Sequence, residues 1–195
     1  MNNLLLEKIM EHIKIFELMK KDDVMLNQIV YAANMVAESL RNGGALYLCG
    51  NGGSAADAQH IATEFVSRFY TERKALNAEA LTVNTSSITA IGNDYDFDRV
   101  FVRQLEAKGK QGDILMGIST SGVSKNVVNA MRYAVENHIH SILLTGNKGI
   151  LVNSKEYDVV IKVPSDDTPR IQEAHIFVGH VMAEYVEKAM MEEPR

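Results

Sequence analysis

The chain has 195 residues, with 20 basic and 25 acidic side chains that give a formal net charge of −5. This charge, with no basic cluster to offset it, argues against a nucleic-acid partner. No apolar run approaches the length of a membrane-spanning helix, and the early charges at Glu7 and Lys8 argue against a signal peptide. The single cysteine, Cys49, cannot form an internal disulfide. We therefore expect one cytoplasmic domain with a substantial core and no membrane partner.

Two amphipathic helices are predicted before the first strand, over residues 4–20 and 24–41. The first has an apolar stripe formed by Leu5, Ile9, Ile13 and Phe16. The second has a stripe formed by Leu26, Ile29, Ala33, Val36 and Leu40. Neither helix carries an obvious chemical group, so we expect both to pack on a sheet or on another subunit.

From residue 45 onward, short apolar segments alternate with helical ones. The predicted strands are 45–49, 79–83, 113–118, 141–145 and 158–163. The predicted helices are 54–68, 86–92, 97–108, 124–137 and 168–191. This alternation predicts an α/β fold with a parallel sheet covered by helices on both faces. In such a sheet, ligands bind at the carboxyl ends of the strands.

A glycine-rich turn, Cys-Gly-Asn-Gly-Gly-Ser at 49–54, follows the first strand and opens a helix. Such a turn directs free backbone N–H groups at an anion. The helix carries His60 and Glu64, which share a face because they lie four residues apart. Alone, a histidine and a glutamate on a helix are more often packing or surface residues.

A second turn, Ser-Thr-Ser-Gly-Val-Ser at 119–124, follows the third predicted strand. Its hydroxyl groups and the N–H groups of the next helix suit the oxygens of a phosphate. The chain contains no Gly-x-x-x-x-Gly-Lys-Ser/Thr motif, so a phosphomonoester is favoured over a nucleoside triphosphate. The alternative is that these residues only form a turn and cap a helix.

The last predicted helix begins with Thr168 as a capping residue. Gln172 and His180 lie on one face of it, eight residues apart. His180 lies in an apolar run, which predicts a buried imidazole with a polar partner.

Together these motifs resemble the phosphoheptose isomerase family of the sugar isomerase (SIS) domain superfamily. The resemblance rests on 49–54, His60 with Glu64, Gly-Asn-Asp at 92–94, 119–124, and Arg-Ile-Gln-Glu-Ala-His at 170–175 followed by His180. It covers nearly the whole chain. It implies a single SIS domain over 1–195, a three-layer sandwich with a five-stranded parallel sheet of flavodoxin-like or Rossmann-like type. It also implies a homotetramer, with helices in 1–42 packing on the sheet and at the subunit interface.

The resemblance further implies an aldose–ketose isomerase that interconverts sedoheptulose 7-phosphate and D-glycero-D-manno-heptose 7-phosphate through a cis-enediol. This would be the first step towards nucleotide-activated heptose for lipopolysaccharide core or other surface glycans. Glu64 would serve as the catalytic base and His180 as the complementary acid or base. One zinc ion per subunit, present in less than stoichiometric amount, would be bound by His60, Glu64, Gln172 and His180. Substrate contacts would be Asn51, Gly52, Gly53, Glu64, Asn93, Asp94, Ser119, Thr120, Ser121, Ser124 and Gln172.

Three alternatives stay open at this point. A non-catalytic relative, resembling the bacterial replication-initiator-associating protein, has the same fold and binds the initiator. A SIS isomerase acting on another sugar phosphate would need the same loops. The four proposed zinc ligands would also make an acid/base cluster without metal.

One departure from the family is Pro169, where several members carry an acidic residue that Asp166 or Asp167 would have to replace.

Overall fold

The computed structural model describes residues 2–151 and 156–191. Its helices are α1 (Asn2–Lys20), α2 (Asp23–Arg41), α3 (Gly53–Val66), α4 (Thr85–Asp94), α5 (Val102–Lys108), α6 (Lys125–Glu136) and α7 (Thr168–Met191). Its strands are β1 (Leu46–Gly50), β2 (Ala78–Ala80), β3 (Ile114–Ile118), β4 (His140–Gly146) and β5 (Val159–Val163). Short 3-10 turns occupy Phe97–Arg99 and Asn147–Leu151. None of the described helices is both long and apolar enough to cross a membrane.

The five strands form one parallel sheet in the order β2-β1-β3-β4-β5. Successive strand residues point to opposite faces, so each strand contributes to two cores. Leu48 and Met116 pack with α2, α3 and α7 on one face, whereas Cys49 and Leu115 pack with α5 and α6 on the other. The predicted α/β class, with a five-stranded parallel sheet between helical layers, is confirmed.

Two predicted elements were wrong in extent. The helix predicted over 97–108 is interrupted at Val100 and Phe101, whose side chains are 0% and 2% exposed. Both residues keep right-handed helical backbone angles, so the interruption is a break in the α-helical hydrogen-bond pattern between the 3-10 turn and α5. The strand predicted over 79–83 ends at Ala80, because Val83 N–H turns back to the Ala80 carbonyl at 3.2 Å.

Helix α1 is joined to the beginning of α7 by polar contacts. His12 Nδ1 donates to Glu173 Oε2 at 2.8 Å, and Arg170 Nη1 donates to the carbonyl of Lys8 at 2.9 Å. The predicted apolar stripe of α1 remains exposed to solvent at its beginning, where the exposed fraction is 64% for Leu5 and 47% for Ile9. This chain alone therefore leaves a hydrophobic surface on α1.

A buried carboxylate near the end of α7 holds the segment that follows α3. Glu187 accepts hydrogen bonds from the N–H groups of Phe69, Tyr70 and Thr71 at 3.1, 2.9 and 3.1 Å. Its Oε1 also lies 3.3 Å from Nε of Arg73, and both side chains are less than 10% exposed. The guanidinium group of Arg73 donates in turn to the carbonyls of Glu64 and Phe65. These contacts fix the end of α3 relative to α7.

The buried histidine of α7 is a second polar group in the core. His175 is 0% exposed, and its Nε2 lies 3.2 Å from the carbonyl oxygen of Thr145 on β4. Burial lowers the pKa of His175 to about 4, against a smaller rise from the hydrogen bond to Thr145. The imidazole is therefore neutral in the folded protein at neutral pH.

We expect Glu187→Gln to lower the free energy of unfolding by about 3 kcal/mol at pH 7, because Arg73 would keep a buried charge without its partner. Burial by itself raises the pKa of Glu187, but hydrogen bonds from Tyr70, Phe69 and Thr71 outweigh it and lower the pKa below 4.5. The stabilisation is thus complete above pH 4.5 and is lost as the pH falls through the lower pKa of the folded state. Urea unfolding at several pH values measures both effects.

The matched control for this variant is Glu184→Gln, one turn earlier on α7. Glu184 pairs with Lys188 at 2.6 Å on the surface, where ion pairs contribute little. The Glu184→Gln substitution should leave the urea unfolding midpoint nearly unchanged. If the two substitutions lowered the free energy of unfolding equally, the stabilising role of the buried Glu187 carboxylate would be contradicted.

We expect His175 to make the protein lose stability as the pH falls from 6.5 towards 4, where only the unfolded chain takes up the proton. The shift of pKa corresponds to about 3 kcal/mol. In His175→Leu this part of the pH dependence should disappear, as measured by urea unfolding between pH 4 and pH 7.

An exposed histidine supplies the control, since His140→Asn should retain the full wild-type slope. An unchanged slope in His175→Leu would show that the buried imidazole is not the group responsible.

Candidate functional site at the carboxyl edge of the sheet

Both predicted anion-binding loops follow neighbouring strands. β1 and β3 are adjacent, with Gly50 paired to Ile118 at their carboxyl ends. The strand order reverses direction between β1 and β3, and in open parallel sheets this is the point where the carboxyl ends leave a crevice for ligands. The glycine turn and the serine loop, residues 119–124, therefore open on the same crevice.

The glycine turn leads directly into α3. Gly52 has a φ of +57°, a conformation that favours glycine, and α3 begins at Gly53. The N–H of Ser54 donates to the carbonyl of Asn51 at 3.0 Å and closes the turn. The N–H groups of Ala55 and Ala56 donate to the Gly52 carbonyl, so the N–H of Gly53 is the donor that the beginning of α3 offers to an anion, at the positive end of the helix dipole.

The serine loop is held by its own hydroxyl groups. Ser119 Oγ donates to Ser124 Oγ at 3.1 Å and accepts from the N–H of Gly122 at 3.2 Å. Ser124 precedes α6, but its side chain makes no capping hydrogen bond to the helix. Thr120 and Ser121 are half-buried at the turn. The helix-capping alternative thus does not account for Ser124. The N–H of Val127 donates to the Asn126 side chain, which leaves the N–H groups of Lys125 and Asn126 available for a ligand.

Three of the predicted metal ligands come together. His60 Nε2 lies 2.8 Å from His180 Nε2 and 3.3 Å from Glu64 Oε1, and one ligand atom from each residue lies within 4.8 Å of the others. His60 and Glu64 belong to α3, and His180 reaches them from α7. We call these residues the His–Glu–His cluster. The sequence predicted a buried His180 with a polar partner; the partner is present, but the imidazole is only half-buried.

The donor set of this cluster fits a zinc ion. Imidazole nitrogen and carboxylate oxygen are ordinary zinc ligands. Two ligands on one tetrahedral zinc ion lie about 3.3 Å apart, close to the spacings within the cluster. Cys49 does not belong to this cluster; its thiol is buried, and burial raises its pKa to about 12.

The fourth predicted ligand, Gln172, lies at the other end of α3. A Cβ atom on Gly53 would fall 3.0 Å from Gln172 Cδ, so the carboxamide packs directly against the glycine turn. Asn93 and Asp94, predicted to follow a helix, instead form the last turn of α4. They are exposed there, with Asn93 Nδ2 donating to Asp94 Oδ1 at 2.9 Å. Substrate contacts through these three residues remain predictions.

The structure adds residues that the motifs did not indicate. The ring of Phe69 stacks on His180 with centroids 5.9 Å apart, and its backbone is held by Glu187. Asp57 Oδ2 is buried without a hydrogen-bond partner among the described residues. Burial raises the pKa of Asp57, while the neighbouring His60 opposes the shift.

Asn126, in the first turn of α6, is another such residue. Its side-chain amide pairs with that of Asn51 in the glycine turn. A signal for it was present in the sequence: Asn126 occupies the same helix stripe as Ala130 and Ala134, where an apolar side chain is expected.

Comparison with known proteins identifies the family of this chain. The model of the SIS domain family matches residues 14–146. The phosphoheptose isomerase of Clostridium acetobutylicum is 48% identical over 194 residues, covering 99% of this chain and 98% of the relative. That of Roseiflexus is 55% identical over 166 residues, covering 85% of this chain and 83% of the relative.

Solved structures give the same result. The phosphoheptose isomerase of Neisseria gonorrhoeae superposes with a TM-score of 0.88 at 41% identity, covering 96% of this chain and 98% of that structure. The phosphoheptose isomerase of Francisella tularensis superposes with a TM-score of 0.89 at 33% identity, covering 95% and 97%. The chain therefore belongs to the phosphoheptose isomerase family of SIS domain proteins.

Proposed function

We propose that this protein interconverts sedoheptulose 7-phosphate and D-glycero-D-manno-heptose 7-phosphate, the first step towards nucleotide-activated heptose. The observation that carries the proposal is the His–Glu–His cluster in a chain that also has two anion-binding loops. A protein that only bound a partner would have no physical need to bring a carboxylate and two imidazoles together. Phosphoheptose isomerase is also the name of the relatives that match nearly the full chain.

The reaction moves a carbonyl group between C1 and C2 of the sugar. It requires one proton to leave a carbon and another to arrive at its neighbour, through a cis-enediol. Glu64 acts as the base: its Oε1 faces His60, which leaves its second oxygen for proton transfer. His180 acts as the complementary acid or base at the substrate oxygens. The ring of Phe69 and the contact with His60 hold its imidazole in place.

The phosphate end of the substrate is bound away from the reacting carbons. Ser119, Thr120, Ser121 and Ser124 supply hydroxyl groups, and Gly52 and Gly53 supply main-chain N–H groups. Asn51, Asn93, Asp94 and Gln172 complete the proposed substrate contacts. The binding energy of the phosphate holds C1 and C2 in position next to Glu64 and His180. This positioning lowers the barrier to proton transfer and so raises kcat.

Zinc is the metal we propose for the cluster, bound by His60, Glu64 and His180. Gln172, the fourth predicted ligand, packs against Gly53 in the single chain and would have to turn its amide oxygen towards the cluster to join them. When bound, it supplies Lewis-acid stabilisation of negative charge on the substrate oxygens. An amide oxygen is a weak zinc ligand, so we expect one exchangeable site per subunit that is only partly filled after purification.

We propose a cytoplasmic homotetramer in which the whole chain is one SIS domain and α1 lies at a subunit interface. Two observations support this assembly. The apolar stripe of α1 is exposed in the single chain, and so are Phe177 at 44% and Tyr185 at 45% on α7. The His60 side chain is 51% exposed as well, so the site is open unless another subunit covers it.

The direct test is an NMR assay in deuterated water with sedoheptulose 7-phosphate as substrate. We expect an aldose product that carries deuterium at C2. Product without deuterium would indicate either a hydride shift or a base that returns the same proton before it exchanges with solvent. Absence of product would favour the binding-protein alternative. A pentulose or hexulose phosphate converted faster than the heptulose would identify a different sugar-phosphate isomerase.

We expect Glu64→Gln to lower kcat by roughly 10²–10⁴-fold, because the amide keeps the size of the side chain and removes the base. His180→Gln should have a similar effect. Circular dichroism should show an unchanged fold in both. Glu136→Gln, at the exposed end of α6, is the control and should leave kcat unchanged. Near-normal turnover in both site variants would contradict the assigned roles.

We expect added zinc to raise the thermal unfolding midpoint of the metal-depleted protein, since a ligand at 100 times its Kd stabilises the folded state by about 2.7 kcal/mol. His60→Ala should abolish the shift because it removes one of two imidazole ligands. His140→Ala, outside the cluster, should keep it. No shift in the wild type, together with full activity in chelator, would show an isomerase that uses protein groups alone.

A further inference from the structure

A reciprocal pair of side-chain amides joins the two loops of the site. Asn51 Nδ2 donates to Asn126 Oδ1 at 2.8 Å, and Asn126 Nδ2 donates to Asn51 Oδ1 at 2.8 Å. Asn51 is the first residue after β1, in the glycine turn, and Asn126 follows the serine loop in the first turn of α6. Two parallel hydrogen bonds fix orientation as well as distance, so the pair sets how the two loops face each other.

Asn126, the buried residue of this pair, is not required for the packing of α6. Asn126 is 3% exposed, whereas Ala130 and Ala134 on the same stripe are apolar and 0% exposed. A buried amide costs free energy unless its donors and acceptors are used. Here Oδ1 accepts a second hydrogen bond, from the N–H of Val127 at 3.0 Å. An apolar residue would bury this stripe at lower cost, so the amide serves the contact with Asn51.

The same contact limits what Asn51 can offer to a substrate. Its side-chain amide is engaged with Asn126 through both its oxygen and its nitrogen. Its carbonyl accepts the N–H of Ser54 at 3.0 Å and closes the glycine turn. What this part of the turn presents to the crevice is therefore main chain, at a position that depends on the amide pair.

We propose that Asn126 is a positioning residue for the phosphate of the substrate. Through Asn51 it holds the beginning of α3 and the beginning of α6 at the separation at which both contribute N–H donors to one phosphate group. The proposal rests on the phosphate-binding role given to the two loops above. It assigns Asn51 an indirect role, through the shape of the turn, in place of a side-chain contact with the sugar.

The test is a double-mutant cycle on ligand affinity, measured by calorimetry on the full chain. Asn51→Ala, Asn126→Ala and the double variant are compared for binding of sedoheptulose 7-phosphate and of inorganic phosphate. We expect each single substitution to raise both Kd values about tenfold, and the double variant to raise them by about the same factor, because all three lose one shared contact. If Asn126→Ala does not fold, Asn126→Leu fills its volume without either hydrogen bond.

The matched control is Asn137→Ala, at the opposite end of α6, where its Nδ2 donates to the Tyr133 carbonyl at 2.8 Å. It should leave both Kd values unchanged. Normal affinity in Asn126→Ala with weak binding in Asn51→Ala would show a direct contact and overturn the proposal, as would additive effects in the double variant. Absence of phosphate binding in the wild type would also overturn it. Binding of sedoheptulose 7-phosphate without turnover would defeat the proposed function, whereas equal Kd values in the two single variants and the double variant would still support the role of the amide pair.

Discussion

The close approach of α3 and α7 is the constraint on which the site depends. Gly179 lies against Ile61, where a Cβ atom would come within 2.6 Å of Ile61 Cγ1. These two residues directly precede His180 and follow His60 in the sequence. A side chain at 179 would require either Ile61 to move or α3 and α7 to separate, and separation would lengthen the 2.8 Å contact between the two imidazoles. The cluster therefore depends on how closely α7 packs against the side chain of Ile61 on α3.

Periodicity predicted the sheet, the helices and the strand ends that carry the loops, because each signal lies within a few consecutive residues. Periodicity could not predict which residues would be the hydrogen-bond partners of individual buried polar side chains. Asn126 and Glu187 each interrupt an apolar stripe, which shows that a polar group is buried but not what it meets. Their partners, Asn51 and the 69–73 segment, lie more than 70 residues away in the sequence. The interruption at Val100 was also missed, since it is a break in the hydrogen-bond pattern between residues that keep helical backbone angles.

Polar groups in this molecule fall into two classes by how completely they are satisfied. Glu187 accepts three main-chain hydrogen bonds and faces Arg73, and the amides of Asn51 and Asn126 satisfy each other. Residues at the proposed site contrast with them: His60 is half-exposed, and Asp57 Oδ2 is buried without a partner among the described residues. Saturated groups rigidify a fold. Buried atoms that have no partner in the described part of the chain also occur away from the site, at Thr145 Oγ1 and His175 Nδ1, so such an atom does not by itself mark a ligand site.

This division also bears on whether the chain is a catalyst or a binding scaffold. A site that must hold a small substrate within fractions of an ångström needs its reacting groups supported by others that do not react. Here Phe69 is fixed through Glu187 and stacks on His180, and Arg73 binds the carbonyl of Glu64. The buried carboxylate of Glu187 thus helps to fix both proposed catalytic residues, His180 through Phe69 and Glu64 through Arg73. A surface used only to bind another protein would not need this convergence on one carboxylate and one imidazole, so the arrangement of the supporting residues favours catalysis independently of the loops.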